Sequence, residues 1–465
     1  MAASLITEEE LPRASVLPDN ELMPPELREK QSILLASSMR KSIRETKVRW
    51  VILFLSCLAN FGIFFCLGNP QALHTPIQDK LNIQDAQFNL MHSASSLPNI
   101  IVPFFGGAIM DTLGTRVTMV ILACMVLLGQ IITTIGGAML SFNLMLLGRF
   151  VLGTGEATLE LGLLTIIARW FLNKEMTLAW GIARTILRLG SALNSFLTPK
   201  LYAWTGMIYF PLLVGAIMTA VSVVCILFVM YYDNKAERQE EEPQGRFVEK
   251  IFFKDILKLP KTYFLVMFGA CCTYMSFIGF TNTVNNFLVR RFGFTSVHAG
   301  SLIMIIYLLA GSLSPFIGYI VDRVGRRANF LMSAIALLFA VHVYFAWLPD
   351  GNPDNPNYGV IFGFIGLGIF YATFATNCWP CIPLIVEPRT LGTACGLMSC
   401  LINLGITVNM GVLGVIHDYT LSSHNGYFWT QIAHCVLISV AFVAITLAYK
   451  EDRKRDGPLH KRRMK

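Results

Sequence analysis

Apolar residues in this chain come in runs of membrane length, set apart by short polar stretches. Twelve runs are long enough to span a bilayer: Val51 to Gly68, Leu90 to Met110, Val117 to Gly137, Asn143 to Trp170, Met176 to Tyr202, Phe210 to Tyr231, Tyr263 to Leu288, Ala299 to Val321, Phe330 to Trp347, Val360 to Val386, Gly392 to Ile416 and Phe428 to Tyr449. Each predicts a helix, because about 20 residues at about 1.5 Å of rise cover the hydrocarbon core. The charged stretch from Asp233 to Lys261 divides them six and six. The expected fold is therefore an all-α membrane protein, with twelve transmembrane helices in two six-helix bundles. The boundaries read as an N-terminal tail at 1–48, bundles at 49–232 and 263–449, a linker at 233–262 and a C-terminal tail at 450–465.

Composition agrees with the pattern. The chain has 465 residues, 54% hydrophobic and 14% charged, with a mean hydropathy of +0.57, which excludes an ordinary water-soluble enzyme. Placing the N-terminus in the cytosol leaves only Lys80, Lys200, Arg290 and Arg291 of the 37 Lys and Arg on the far side. That asymmetry puts both termini in the cytosol. It also accounts for the net charge of +8 through anionic lipid, without a nucleic acid partner. The eleven cysteines lie inside apolar runs and predict no disulfide framework. Cys378 and Cys381 have CxxC spacing, but within a membrane helix packing explains them. There is no Walker loop, metal-ligand cluster or Ser-His-Asp set, so neither an enzyme nor a cofactor or metal is expected. Lone histidines such as His92, His342, His417 and His434 read as hydrogen bonders between helices.

Against this apolar background the fourth and fifth runs carry Arg149, Glu156, Glu160, Arg184 and Arg188. If the two helices are antiparallel, Glu156 falls level with Arg188 and Glu160 with Arg184. Glu156 and Glu160 are spaced i,i+4 and share a helix face, as do Arg184 and Arg188. A charge at the bilayer centre costs at least about 2.5 kcal/mol, so these groups face a protein interior or water. A guanidinium column opposite a carboxylate column suits a zwitterion, whose carboxylate meets the guanidinium fork and whose ammonium meets a carboxylate. The alternative is two permanent structural ion pairs. Arg149, Tyr274, Asn282 and Trp379 are further candidates to line a central cavity, with Asn285, Asn286 and Tyr371 beside them.

The two halves repeat a G-x-x-x-D-x-x-G-x-R pattern. One copy contains Asp111 and Arg116, the other Asp322, Arg326 and Arg327, each after the second span of its half. Glycine permits a tight turn and close helix approach there, and Asp and Arg can latch a cytoplasmic gate. The chain thereby resembles the major facilitator superfamily. The resemblance implies two bundles that rock about a central site to give alternating access.

A further series is similar to the superfamily's lysosomal dipeptide transporters: Phe61 to Leu73, Pro98-Asn99, Gly148 to Val151, Arg188 to Ser191 with Asn194, Phe292 to Phe294, Trp379-Pro380, and Leu391 to Gly396 with Asn403 to Gly405. That resemblance implies a uniporter exporting small peptides from the lysosome lumen. An Arg on the fifth span and a Glu on the fourth would hold the peptide ends. Arg188 takes the first role; Thr154-Gly155-Glu156 brings the acid one position early, about 100° round the helix, and Asn69 stands where the family has Asp. It also implies a glycosylated accessory membrane protein, in keeping with the lack of an Asn-x-Ser/Thr sequon; a homodimer stays open. Glu29 with Ile33 and Leu34 resembles an acidic dileucine sorting signal, with a juxtamembrane helix as the plainer reading. The rival functions are a proton-coupled symporter of an organic anion or amino acid and a non-transporting sensor or scaffold. The rival location is the plasma membrane.

Overall fold

A computed structural model describes residues 44, 46–102, 114–171, 176–239, 259–387, 391–421, 426–455, 457 and 459. Glu29, Ile33, Leu34 and Asp111 lie outside these residues, as does the side chain of Asp322. The N-terminal bundle comprises α1 (Val48–Leu67), the short α2 (Asn69–Ala72) and α3 (His74–Leu81), α4 (Asp85–Ser96), α5 (Thr115–Ala138), α6 (Phe142–Trp170), α7 (Met176–Thr205) and α8 (Tyr209–Gln239). The C-terminal bundle comprises α9 (Lys261–Phe292), α10 (Ser296–Val324), α11 (Arg327–Trp347), α12 (Val360–Ile385), α13 (Leu391–Tyr419) and α14 (Tyr427–Lys454). Ten of the long helices are apolar enough to cross a membrane. α7 has the length but carries Arg184, Arg188 and Lys200, and α4 leads through the 3-10 turn Pro98–Ile100 towards residues outside the description.

Below, the near face is the end where the chain enters at Val48 and leaves at Lys454. The far face is the opposite end. Helices in lipid associate through close packing, since lipid is as apolar as leucine. Small residues permit that packing here: Gly129 of α5 and Gly148 of α6 leave no room for a Cβ, which at Gly129 would stand 2.6 Å from the Gly148 carbonyl oxygen. Large apolar side chains such as Phe54, Phe228, Phe316 and Phe362 are exposed on the outside, as a surface solvated by acyl chains requires. Inside, Phe280, Phe287, Phe345, Phe364 and Phe370 fill the C-terminal bundle.

The repeated motif shows its physical basis in two turns. Gly114 and Gly325 occupy matching motif positions, with φ of +83° and +70°, a region a side chain strongly disfavours. Arg116, just after the first, pairs with Glu237 of α8, a partner within its own bundle. Arg326 adopts the left-handed region at the N-cap of α11, and Arg327 begins that helix. Asp233, at the start of the charged linker, is 2% exposed. It accepts from Trp170 Nε1 at 2.9 Å and lies 3.7 Å from Arg169. α8 thus runs past residue 232 to Gln239.

α7 packs against α10, and α4 against α13, across the divide between bundles. On the far-face side the contact is backbone-close: a Cβ on Gly414 of α13 would reach 2.6 Å from Ala86 Cα of α4, and one on Gly300 of α10 would strike the Ser195 carbonyl of α7. Nearer the near face, Thr185 of α7 donates to the Gly311 carbonyl of α10 at 3.4 Å.

Candidate functional site

A cavity of ≈ 300 Å³ lies between the bundles, lined by Glu156 and Glu160 of α6, Arg184 and Arg188 of α7, Tyr274 of α9, and Tyr371 and Trp379 of α12, among others. Its size suits a small ligand. Of the residues singled out from the sequence, Glu156, Glu160, Arg184, Arg188, Tyr274, Tyr371 and Trp379 meet here. Trp379 Nε1 donates to the Tyr274 hydroxyl at 3.0 Å. Arg149 and Asn282 do not line it. Arg149 is 2% exposed and donates to the Leu67 carbonyl at 3.1 Å and Ser95 Oγ at 3.5 Å, because its position in α6 points behind the cavity wall at α1 and α4. Asn282 donates to Asn89 Oδ1 at 3.0 Å, in the far-face contact between bundles.

The two levels of charge behave differently. Arg184 Nη1 lies 2.8 Å from Glu160 Oε1, a formed ion pair one turn nearer the near face. One turn further in, Arg188 does not pair with Glu156. Its Nη1 donates to the Ala310 carbonyl at 2.8 Å and to the Ser314 hydroxyl, both on α10, and its guanidinium lies 4.8 Å from the Tyr371 ring centroid. Glu156 is left with Asn99, Arg149 and Glu160 as its polar neighbours. The reason lies in α10, where Pro315 has no N–H to donate and so frees the Gly311 carbonyl four residues back. Thr185 Oγ1 of α7 donates to that carbonyl at 3.4 Å, bringing α7 and α10 together beside Arg188. The Ser314-Pro315 step was the signal in the sequence for this partner, and it was missed.

A second polar cluster, also missed, closes the far face. Asp85 of α4 stands between two imidazoles, its Oδ1 2.9 Å from His74 Nε2 and its Oδ2 2.8 Å from His417 Nδ1 of α13. Asn286 of α9 donates to both oxygens at 3.3 and 3.4 Å, or to Gln78 Oε1 at 2.8 Å. Around it, Ala86 N donates to Asp418 Oδ2 at 3.1 Å and Arg290 to Asp79 Oδ1 at 2.8 Å. Asn89 donates to the Met410 carbonyl at 3.1 Å and Ser93 to that of Thr407 at 3.2 Å. Burial pushes the Asp85 carboxyl up, but the hydrogen bonds from His417 and His74 outweigh it and hold it below the usual carboxylate range. Asp85, His417 and Asp418 bring three oxygen and nitrogen atoms within 4.8 Å of one another, with His417 Nδ1 2.8 Å from Asp85 Oδ2 and 3.6 Å from Asp418 Oδ1. His342 and His434 join helices as expected, His342 to Gln431 at 2.6 Å and His434 to Ser276 at 3.2 Å.

Two helical bundles with a charged cavity between them, sealed at one end by contacts between bundles, define a membrane transporter. The sequence matches the Major Facilitator Superfamily over residues 49–408 and 266–464, and the chain belongs to that family. It is 30% identical over 422 residues to the Lysosomal dipeptide transporter MFSD1 of Bos taurus, covering 89% of this chain and 87% of that one. It is 31% identical over 422 residues to the protein of the same name from Mus musculus, covering 89% and 88%. Among solved structures, a bacterial homolog of the human lysosomal transporter Spinster, inward-facing and unoccupied, superimposes with a TM-score of 0.69 at 17% identity, covering 88% of this chain and 98% of that one. The protein is thus a multi-pass membrane transporter of this superfamily.

Proposed function

We propose that this transporter exports small peptides, dipeptides above all, from the lumen of the lysosome to the cytosol as a uniporter. The near face and both termini lie in the cytosol and the far face in the lumen. The observation that carries this reading is the separation of Arg188 from Glu156 across one cavity. A guanidinium held on the C-terminal bundle's side and a carboxylate on the N-terminal bundle's side present opposite poles with space between them. Zwitterionic peptides offer the complementary poles, a C-terminal carboxylate for Arg188 and an N-terminal ammonium for Glu156. Both residues belong to the N-terminal bundle, but Arg188 also donates to Ala310 and Ser314 of α10 in the C-terminal bundle, so a substrate carboxylate at Arg188 would act on the contact between bundles and tie binding to their relative motion. The names of the relatives support the same substrate and compartment. The far-face seal supports a cytosol-open conformer, in which substrate would leave towards the cytosol. The lack of any sequon supports reliance on a glycosylated partner protein in the lumen.

The test is the thermal stability of the purified protein against dipeptides, free amino acids and small carboxylates. Binding to the folded protein raises the melting midpoint by mass action. Dipeptides should stabilise the wild type and not Arg188→Ala, and dipeptide uptake into liposomes should need no proton gradient. Stabilisation by monocarboxylates or amino acids alone would reject the peptide reading. Glu156 has no ion-pair partner among the described residues, which gives proton-coupled symport its one foothold. Substrate-dependent proton uptake would establish that rival.

A further inference from the structure

The cluster that seals the far face lies apart from the substrate cavity, and substrate recognition uses none of its charged groups. Asp85 belongs to α4 and His417 to α13, so their 2.8 Å contact bridges the bundles at the end that must part for the far side to open. Both side chains are buried, at 6% and 5% exposure, and opening would expose them to water.

We propose that the Asp85–His417 contact is a proton-operated latch: a proton taken up from the far side holds that side shut, and its release lets the bundles part. This rests on the proposed function only for the statement that the far side meets an acidic lumen. A neutral imidazole gives the carboxylate an ordinary hydrogen bond. An imidazolium gives it a charge-assisted one, roughly twice as strong, and that gain is largest where water is excluded. Once the bundles separate, each group is hydrated on its own and the gain disappears. Proton binding therefore favours the closed far face, by linkage. The range over which histidine ordinarily changes charge covers the step from neutral to acidic compartments.

The groups facing the pair fit this sign. Asp418 of α13 lies 3.6 Å from His417 Nδ1 and adds a second anion. From α3, His74 Nε2 lies 2.9 Å from the other oxygen of Asp85, and its ring stacks on Phe88 at 3.6 Å. From the same helix, Asp79 pairs with Arg290 of α9, which also donates to Asn286 at 2.9 Å. From α14, the Tyr427 ring lies 4.6 Å from that of His417. His434 borders a void of ≈ 10 Å³ shared with Asp85, Asn89 and His417, room for about one water. His74 and Asp85 sit in the same bundle, so their bond survives opening. His417 is the imidazole whose bond to Asp85 is broken.

The latch changes how often the far side opens without adding a proton to the transport stoichiometry. Spin labels at Asn82→Cys and Asp354→Cys, on exposed far-face loops of the two bundles, in a Cys124→Ser background read this directly in lipid nanodiscs. The ratio of short to long distances should rise at least about threefold between about pH 7.5 and about pH 5. The same shift should persist in His74→Gln and vanish in His417→Gln. Asp85→Asn, the same shape without the charge, should also abolish it and covers the case in which His417→Gln does not fold. A parent protein with one distance distribution at both pH values overturns the proposal, as does a folded His417→Gln or Asp85→Asn protein that keeps the shift. No substrate is present, so failure here leaves the dipeptide reading to its own binding test.

Discussion

Replacing Arg188 by Lys keeps the positive charge and removes the planar fork. Arg188 Nη1 is already committed to the Ala310 carbonyl at 2.8 Å and to the Ser314 hydroxyl, while the rest of the guanidinium lies over Tyr371 beside the cavity. One arginine can hold α10 and a substrate carboxylate together because its donors point in two directions. A lysine ammonium is a single point that must leave one for the other. The expected loss is one charge-assisted hydrogen bond, about 1.5–3 kcal/mol. At 1.4 kcal/mol per tenfold that is about 10- to 150-fold in dipeptide Kd. Titration calorimetry, or the dependence of melting temperature on dipeptide concentration, measures it. Arg184→Lys serves as the control, since Arg184 pairs with Glu160 and should lose less. A Kd for Arg188→Lys within about twofold of wild type, or a larger loss in Arg184→Lys, would refute the assignment.

Gly153→Ala should destabilise the protein by about 1–3 kcal/mol or more. Its Cβ would strike the Ser95 carbonyl of α4, and backbone has little freedom to yield; an unchanged melting temperature would contradict this packing. Arg291→Ala should cost at least about 3 kcal/mol, read as a lowered melting midpoint. The side chain is 1% exposed, and its loss strands the Ala346 and Leu348 carbonyls it reaches at 3.0 Å and removes the 2.8 Å contact to Asp350. Asp85 is held below its unfolded-state proton affinity, so its contribution is present above the ordinary carboxylate range of about 4 and is lost only as pH falls through the lowered value. Asp85→Asn should therefore cost at least as much melting temperature at about pH 5 as at about pH 7, and a cost that disappears at the lower pH would show the carboxylate is not held ionised.

Hydropathy alone carried the all-helical fold, because in a bilayer each spanning backbone must satisfy its own hydrogen bonds and its length is set by the membrane. The repeated motif was legible for the same local reason: Gly114 and Gly325 mark turns whose positive φ depends on the residue itself. The i,i+4 spacing of Glu156 with Glu160 and of Arg184 with Arg188 placed all four on one cavity, since helical geometry is regular. What spacing could not decide was which charges pair. Levels along two helices predicted both Glu160 with Arg184 and Glu156 with Arg188, and only the first pair forms. Arg188 is claimed by α10, more than a hundred residues along the chain, where Ser314 and the carbonyls beside Pro315 sit within reach. Asn282 was a candidate for the cavity and is held by Asn89, and Asp85 and His74, which no sequence pattern singled out, meet His417 only where α4 packs against α13. Pattern along one chain reports each helix's own faces and lengths. Which face meets which partner depends on how the bundles pack, and only the tertiary structure supplies that.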